Sequence, residues 1–115
     1  MSLKAIATLE IIEIMEGYVE RNRPPEKIRN KLDIGYRIDN QSVYIFEIRP
    51  DWLNPKIISE YDFAKATYII RQDIWKVYWM RSNLKWFAYD PKPEVKKLSG
   101  FIKLVDEDKH GCFKG

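Results

Sequence analysis

Residues 74–91 read IWKVYWMRSNLKWFAYDP. Two apolar-rich runs, 75–80 and 85–89, flank the polar Arg81-Ser82-Asn83 and Leu84, the signature of two antiparallel strands and a tight connection. A third strand over 64–70 precedes them across Arg71-Gln72-Asp73-Ile74, so the three form a meander. Pairing Ile70 with Trp75 and Trp79 with Trp86 assigns Ala66, Tyr68, Ile70, Trp75, Val77, Trp79, Trp86 and Ala88 to one face. The opposite face then carries Lys65, Thr67, Ile69, Lys76, Tyr78, Met80, Lys85, Phe87 and Tyr89. A slip by two residues leaves both sets intact, because side chains alternate with period two. The Trp-rich set reads as core, and the set mixing cations with amphipathic rings reads as surface.

Upstream, Leu32, Ile34, Tyr36 and Ile38 alternate with polar residues, and 43–49 (VYIFEIR) returns as a second strand with Tyr44, Phe46 and Ile48 on its richer face. Asp39-Asn40-Gln41 supplies turn chemistry. A three-residue loop keeps the two apolar sets on one side, whereas a two-residue loop separates them, so the three-residue loop is expected. Residues 50–56 (PDWLNPK) break the pattern and change direction.

Helices are expected at both ends. In 5–20, Ala7, Ile11, Ile12, Ile14, Met15, Tyr18 and Val19 share one arc opposite Glu10, Glu13, Glu16 and Glu20. Arg23-Pro24-Pro25 ends that helix, and Pro25 opens a short second one to about Asn30. Pro91 and Pro93 stop the sheet. Val95, Leu98, Phe101, Ile102 and Val105 then recur at helical spacing through EVKKLSGFIKLVDED, leaving the tail DEDKHGCFKG either frayed or pinned by Cys112 and Phe113. The fold expected is α+β: a five-stranded, mainly antiparallel sheet, a hairpin plus a three-strand meander, with the N- and C-terminal helices packed on one face.

Composition sets outer bounds. The 115 residues, 45% hydrophobic with four Trp, seven Tyr and five Phe, suffice for a single domain over 1–115 with its own core, and they oppose disorder. One Cys excludes an internal disulfide and fits a reducing compartment. No apolar run approaches the about 18 residues of a spanning helix. Residues 1–9 lack the apolar stretch of a secretory signal. A cytoplasmic location with no membrane partner is therefore expected.

Several of these segments together resemble a family. Arg23-Pro24-Pro25, the strand at 43–50 with Trp52 close behind, the meander at 74–91 and the tail VDEDKHGCFKG are similar, in order and spacing over residues 15–115, to bacterial domain-of-unknown-function family 3024. Members tend to carry Asn-Gly where this chain has Asn83-Leu84, and a Trp where it has Lys114. Leucine resists the positive φ that Asn-Gly supplies. The resemblance implies an intact domain and no established activity, so it brings no catalytic residues with it.

Function therefore rests on the side chains. Asp33 or Asp39 with Glu47-Ile48-Arg49 and Glu16 or Glu20 resembles the carboxylate set of metal-dependent nucleases, but Arg49 stands where a lysine belongs and cannot serve as a base. The bland alternative is same-face charge pairing on a solvated strand. His110 and Cys112 lie two apart without an orienting third group, and two ligands are too few for a closed zinc site. No catalytic residue, metal or cofactor is assigned.

The binding reading uses Lys65, Lys76 and Lys85 as phosphate contacts and Tyr78, Phe87 and Tyr89 as stacking platforms. Arg21, Arg23, Lys27, Arg29 and Lys31 form a secondary basic cluster. A net charge of +3 is modest for nucleic-acid recognition. A non-enzymatic protein-interaction or homodimerisation module using the basic-aromatic face is accordingly the first expectation, a nucleic-acid-binding module the second and a hydrolase the third.

Overall fold

A computed structural model describes residues 5–114, with side chains from residue 8 onward, so the expectation for Ala7 lies outside the described side chains. Helix α1 (Ala5–Asn22) ends where Pro24 denies the next backbone donor, after Arg23 N–H reaches Val19 O at 2.8 Å. The short second helix is only a 3₁₀ turn, Glu26–Ile28, which buries no residue and so has no packing to extend it. Strands β1 (Asp33–Asp39), β2 (Ser42–Pro50), β3 (Ile58–Ile69), β4 (Ile74–Met80) and β5 (Trp86–Ala88) follow in spatial as well as chain order, all antiparallel. A two-residue strand β6 (Glu94–Val95) rejoins β4, and helix α2 (Leu98–Glu107) closes the fold. The α+β architecture is the one expected, with one more strand. No helix among the described residues is long and apolar enough to cross a membrane.

Both helices lie on one sheet face. Ile11, Met15 and Tyr18 of α1 and Phe101, Ile102 and Val105 of α2 share a buried cluster with Val43, Ile45, Ala64, Ala66, Trp75 and Val77. Ala64 and Ala66 of the central strand are fully buried in this cluster.

Several local expectations need correction. Asp39 pairs with Ser42, so the first hairpin loop has two residues, Asn40 and Gln41, not three. Asn40 supports it by taking φ 59°, a conformation asparagine tolerates and primed hairpin turns require. Ile34, Tyr36 and Ile38 therefore share the helix-covered face with Val43 and Ile45, while Tyr44, Phe46 and Ile48 point to the other. In the last hairpin Trp79 pairs with Phe87 rather than Trp86. There the loop has three residues, 82–84, because Leu84 accepts φ 63° and Arg81 N–H closes on Lys85 O at 3.1 Å. This one-residue change puts Trp86 and Ala88 on the helix-free face and Phe87 and Tyr89 on the helix-covered side, where Tyr89 is buried and Phe87 stays exposed at its margin, whereas Trp79 stays packed against the core.

The β3–β4 pairing differs by two residues, Tyr68 opposite Trp75, which preserves the faces and leaves Ile70 in the turn. The sheet also survives its prolines. Pro93 contributes only its carbonyl, accepting from Val77 N–H at 2.9 Å, and Val95 then pairs with Trp75, so α2 starts at Leu98 rather than at the preceding acidic residue. Strand β3 begins at Ile58, earlier than the 64–70 expected, with a bulge that leaves Phe63 unpaired against β2 and buried.

Two features can be tested by stability. Leu84 is 79% exposed and held in left-handed backbone. Leu84→Gly removes a conformational cost of about 1–2 kcal/mol, partly offset by unfolded-state entropy. We expect a net gain of about 0.5–1 kcal/mol, read as a higher urea midpoint at unchanged slope. Tyr18 is fully buried and its hydroxyl has no hydrogen-bond partner among the described residues. Burial, aided by Asp106, pushes that phenol far above its ordinary pKa. Tyr18→Phe should therefore stabilise by about 1 kcal/mol, and a lower midpoint would show that the hydroxyl has a partner.

Candidate interaction surface

The face without helices is organised by two cations. Arg37 on β1 donates from both terminal nitrogens to the Asp62 carboxylate on β3, each at 2.7 Å. To reach it the guanidinium crosses β2, lying 4.3 Å from the Tyr44 ring centre and 5.7 Å from that of Phe46. The ring of Phe46 fits beneath because Gly35 stands opposite. A Cβ at Gly35 would come within 2.8 Å of Phe46 Cε1. Sequence alternation alone leaves Phe46 exposed on this side, and the arginine stem together with the glycine gap buries it.

Lys65 is the second organiser. Tyr44, Lys65, Tyr78 and Ala88 form one cross-strand row, and Trp86 lies diagonally beside it. The Lys65 ammonium sits 4.7 Å from the Tyr78 ring centre, 4.9 Å from Trp86 and 5.8 Å from Tyr44. Tyr44 and Trp86 are themselves 6.0 Å apart at 56°. Burial lowers the lysine pKa, and Asp62 works against that shift. Each ring contact contributes about 0.5–1 kcal/mol at such a half-exposed site.

Beyond this patch, Lys76 stands between Thr67 and Glu94 in the ladder. At the far end of β2 and β3 the exposed Ile58 leads into a turn that presents Trp52 and Leu53, 77% and 74% exposed. That turn is ordered. The Asp51 carboxylate accepts from Leu53 N–H at 2.8 Å and Asn54 N–H at 3.2 Å, while Asp51 N–H closes on Ile57 O at 2.7 Å.

Of the surface expected from sequence, Lys65, Lys76 and Tyr78 share the open face. Lys85 is exposed and flanks the hairpin loop, just before the strand. Phe87 projects to the opposite side, with the Arg81 guanidinium 4.6 Å over its ring. Tyr89 is core, 2% exposed and packed on Phe113 at 4.7 Å. The one-residue register change moves both. It also brings in Trp86, and the two-residue first turn brings in Arg37, Tyr44 and Phe46, none of which was singled out for the surface. Asn40 and the Asn83-Leu84 pair carried the only local signal for those turn lengths.

The secondary cluster is dispersed into structural contacts. Arg21 pairs with Asp106 at 3.0 Å, Arg29 Nε–H donates to Pro24 O at 2.9 Å, and Lys27 and Lys31 are simply exposed. Arg23 forks onto Asp33 with bonds of 3.0 and 2.7 Å, tying the end of α1 to the start of β1. Two of the carboxylates considered for metal binding are likewise engaged separately, Asp33 by Arg23 and Glu47 by Arg49 at 3.4 Å. Arg49 itself stacks 4.0 Å over Tyr61. No group of three His, Cys, Asp or Glu side chains placed for a metal ion occurs among the described residues. Cys112 does not face His110 as a base. Its thiol approaches the His110 carbonyl at 3.9 Å, and burial raises its pKa.

The Arg23 hydrogen bonds, helped by Ile34 N–H, hold the Asp33 carboxyl below its ordinary pKa against the opposing effect of burial. A depressed folded-state pKa adds stability above the unfolded value near 3.8, and that stability is lost as pH falls through the folded one. Asp33→Asn should cost about 1–3 kcal/mol at neutral pH. The gap to the parent chain should close as acid is added, and a pH-independent gap would remove the ion pair as its cause.

No curated protein and no solved structure matches the sequence. The family model described as a domain of unknown function (DUF3024) matches residues 3–115. That span takes in both helices, all six strands, the Arg23–Asp33 fork and the tail packed on Tyr89, and this chain therefore belongs to the DUF3024 family.

Proposed function

We propose that the chain is a non-enzymatic protein-interaction module that pairs with a second copy through its helix-free sheet face. The observation that carries this reading is the charge arrangement of that face. Arg37 is neutralised by Asp62, Lys65 is drawn over three rings, and Lys76 faces Glu94 across the ladder. A surface with both signs interleaved among Tyr44, Tyr78, Met80 and Trp86 is complementary to a rotated copy of itself. It offers a polyanion no run of free cations, which sets the nucleic-acid reading second.

Size is adequate as well. Five strands at about 4.8 Å spacing and about 30 Å of β2 give a plan area of order 600 Å², and side-chain relief brings it near the about 800 Å² per partner of a stable interface.

Light scattering on concentrated protein tests the proposal. The expected mass is twice 13.8 kDa, persisting in high salt because apolar contacts dominate. Tyr78→Asp and Trp86→Asp should each halve the mass, whereas Lys27→Glu should leave it unchanged. A monomer at high concentration overturns the reading, and so does a dimer indifferent to both face substitutions.

A further inference from the structure

We propose that the cleft between the 90–92 turn, α2 and the C-terminal tail binds a small phosphate monoester carrying a flat apolar group. The cleft measures about 430 Å³, the scale of a small-molecule site. Its apolar wall is made by Tyr89, Pro91, Val95 and Leu104, and its rim by Lys92, Lys103, Lys109 and His110 against the single carboxylate of Glu107.

The chain treats its two kinds of cation differently. All four ion pairs among the described residues use arginines: Arg21, Arg23, Arg37 and Arg49. None of the three cleft lysines forms an ion pair among the described residues, and they line one concavity from three segments of the chain. Three ammonium groups against the one Glu107 carboxylate leave a local positive excess, and an anion relieves it. Compact ammonium donors from three directions suit the three oxygens of a phosphate dianion better than the two of a carboxylate. The side chains of Pro91, Val95 and Leu104 on the wall beside them are apolar, so an aromatic or similarly flat substituent fits against it.

The site is also built in advance. The Asp108 carboxylate accepts the N–H of Phe113 at 3.0 Å and of Lys114 at 2.9 Å, with φ 40° at Asp108 and 65° at Gly111 folding the tail back. Phe113 then seats on Tyr89, and the His110 ring meets Tyr89 edge-on at 6.4 Å. On the other wall, a Cβ at Gly100 would lie 3.1 Å from Val95 Cβ, so glycine lets α2 settle onto β6. A rim already ordered loses little entropy when a ligand arrives.

The test is a two-dimensional ¹H–¹⁵N NMR titration of the full chain with phenyl phosphate, and separately with inorganic phosphate and with phenol. The expected result is saturable shifts centred on Tyr89, Lys103, Lys109 and His110, with phenyl phosphate about tenfold tighter than inorganic phosphate because the ring is buried. Lys103→Glu with Lys109→Glu should weaken phenyl phosphate at least about tenfold. Lys27→Glu with Lys31→Glu makes the same change in net charge elsewhere and should bind as the parent does. Non-saturating or scattered shifts overturn the proposal, as does equal loss in both double variants. Equal affinity for phosphate and phenyl phosphate overturns the assigned ligand class.

Discussion

Two backbone positions in the left-handed region, Asn40 and Leu84, set the lengths of the outer hairpin loops, and nearly every ring in the sheet takes its side from them. Side chains alternate strictly along a strand, so one residue more or less in a turn exchanges core for surface along the whole partner strand. With two residues in the first loop, Tyr44 and Phe46 turn away from the helices. With three in the last, Trp86 joins them and Tyr89 goes inside. The aromatic patch around Lys65 exists because both loops have these lengths at once.

That patch also shows why an aromatic-rich sheet face can stay stable without a covering helix. Arg37 and Lys65 lay their aliphatic stems and charged heads over the rings, and Asp62 closes the bidentate pair. Apolar rings are covered and charges satisfied by the same two side chains. Arg37, neutralised by Asp62, contributes little to long-range attraction of a polyanion, whereas a lysine without an ion pair keeps its field. All four ion pairs among the described residues are made by arginines, while Lys65 serves the fold through the rings it covers.

The segments that carry the family likeness have structural duties of the same kind. Arg23 ends α1 and grips Asp33, so the prolines after it fix where the chain leaves the helix and enters the sheet. In the tail, Asp108 gathers two backbone donors and drives Phe113 against Tyr89, converting a polar, glycine-containing end into part of the core. The acidic and basic residues in these motifs were legible as charges. Their pairing across the chain, Arg23 with Asp33 and Arg21 with Asp106, required the fold.

By itself the sequence determined the class of structure: apolar spacing marked both helices, alternation marked five of the six strands, and the prolines at 24 and 25 marked the first boundary. It also carried the β3–β4 faces correctly, since a two-residue slip does not change parity. Tertiary structure decided the rest. Both faces of the sheet hold large apolar side chains, so hydrophobic pattern could not choose between turn lengths differing by one residue. That choice was made by the backbone at Asn40 and Leu84, by the Gly35 gap that admits Phe46, and by a cation, contributed from another strand, that makes an outward ring stable.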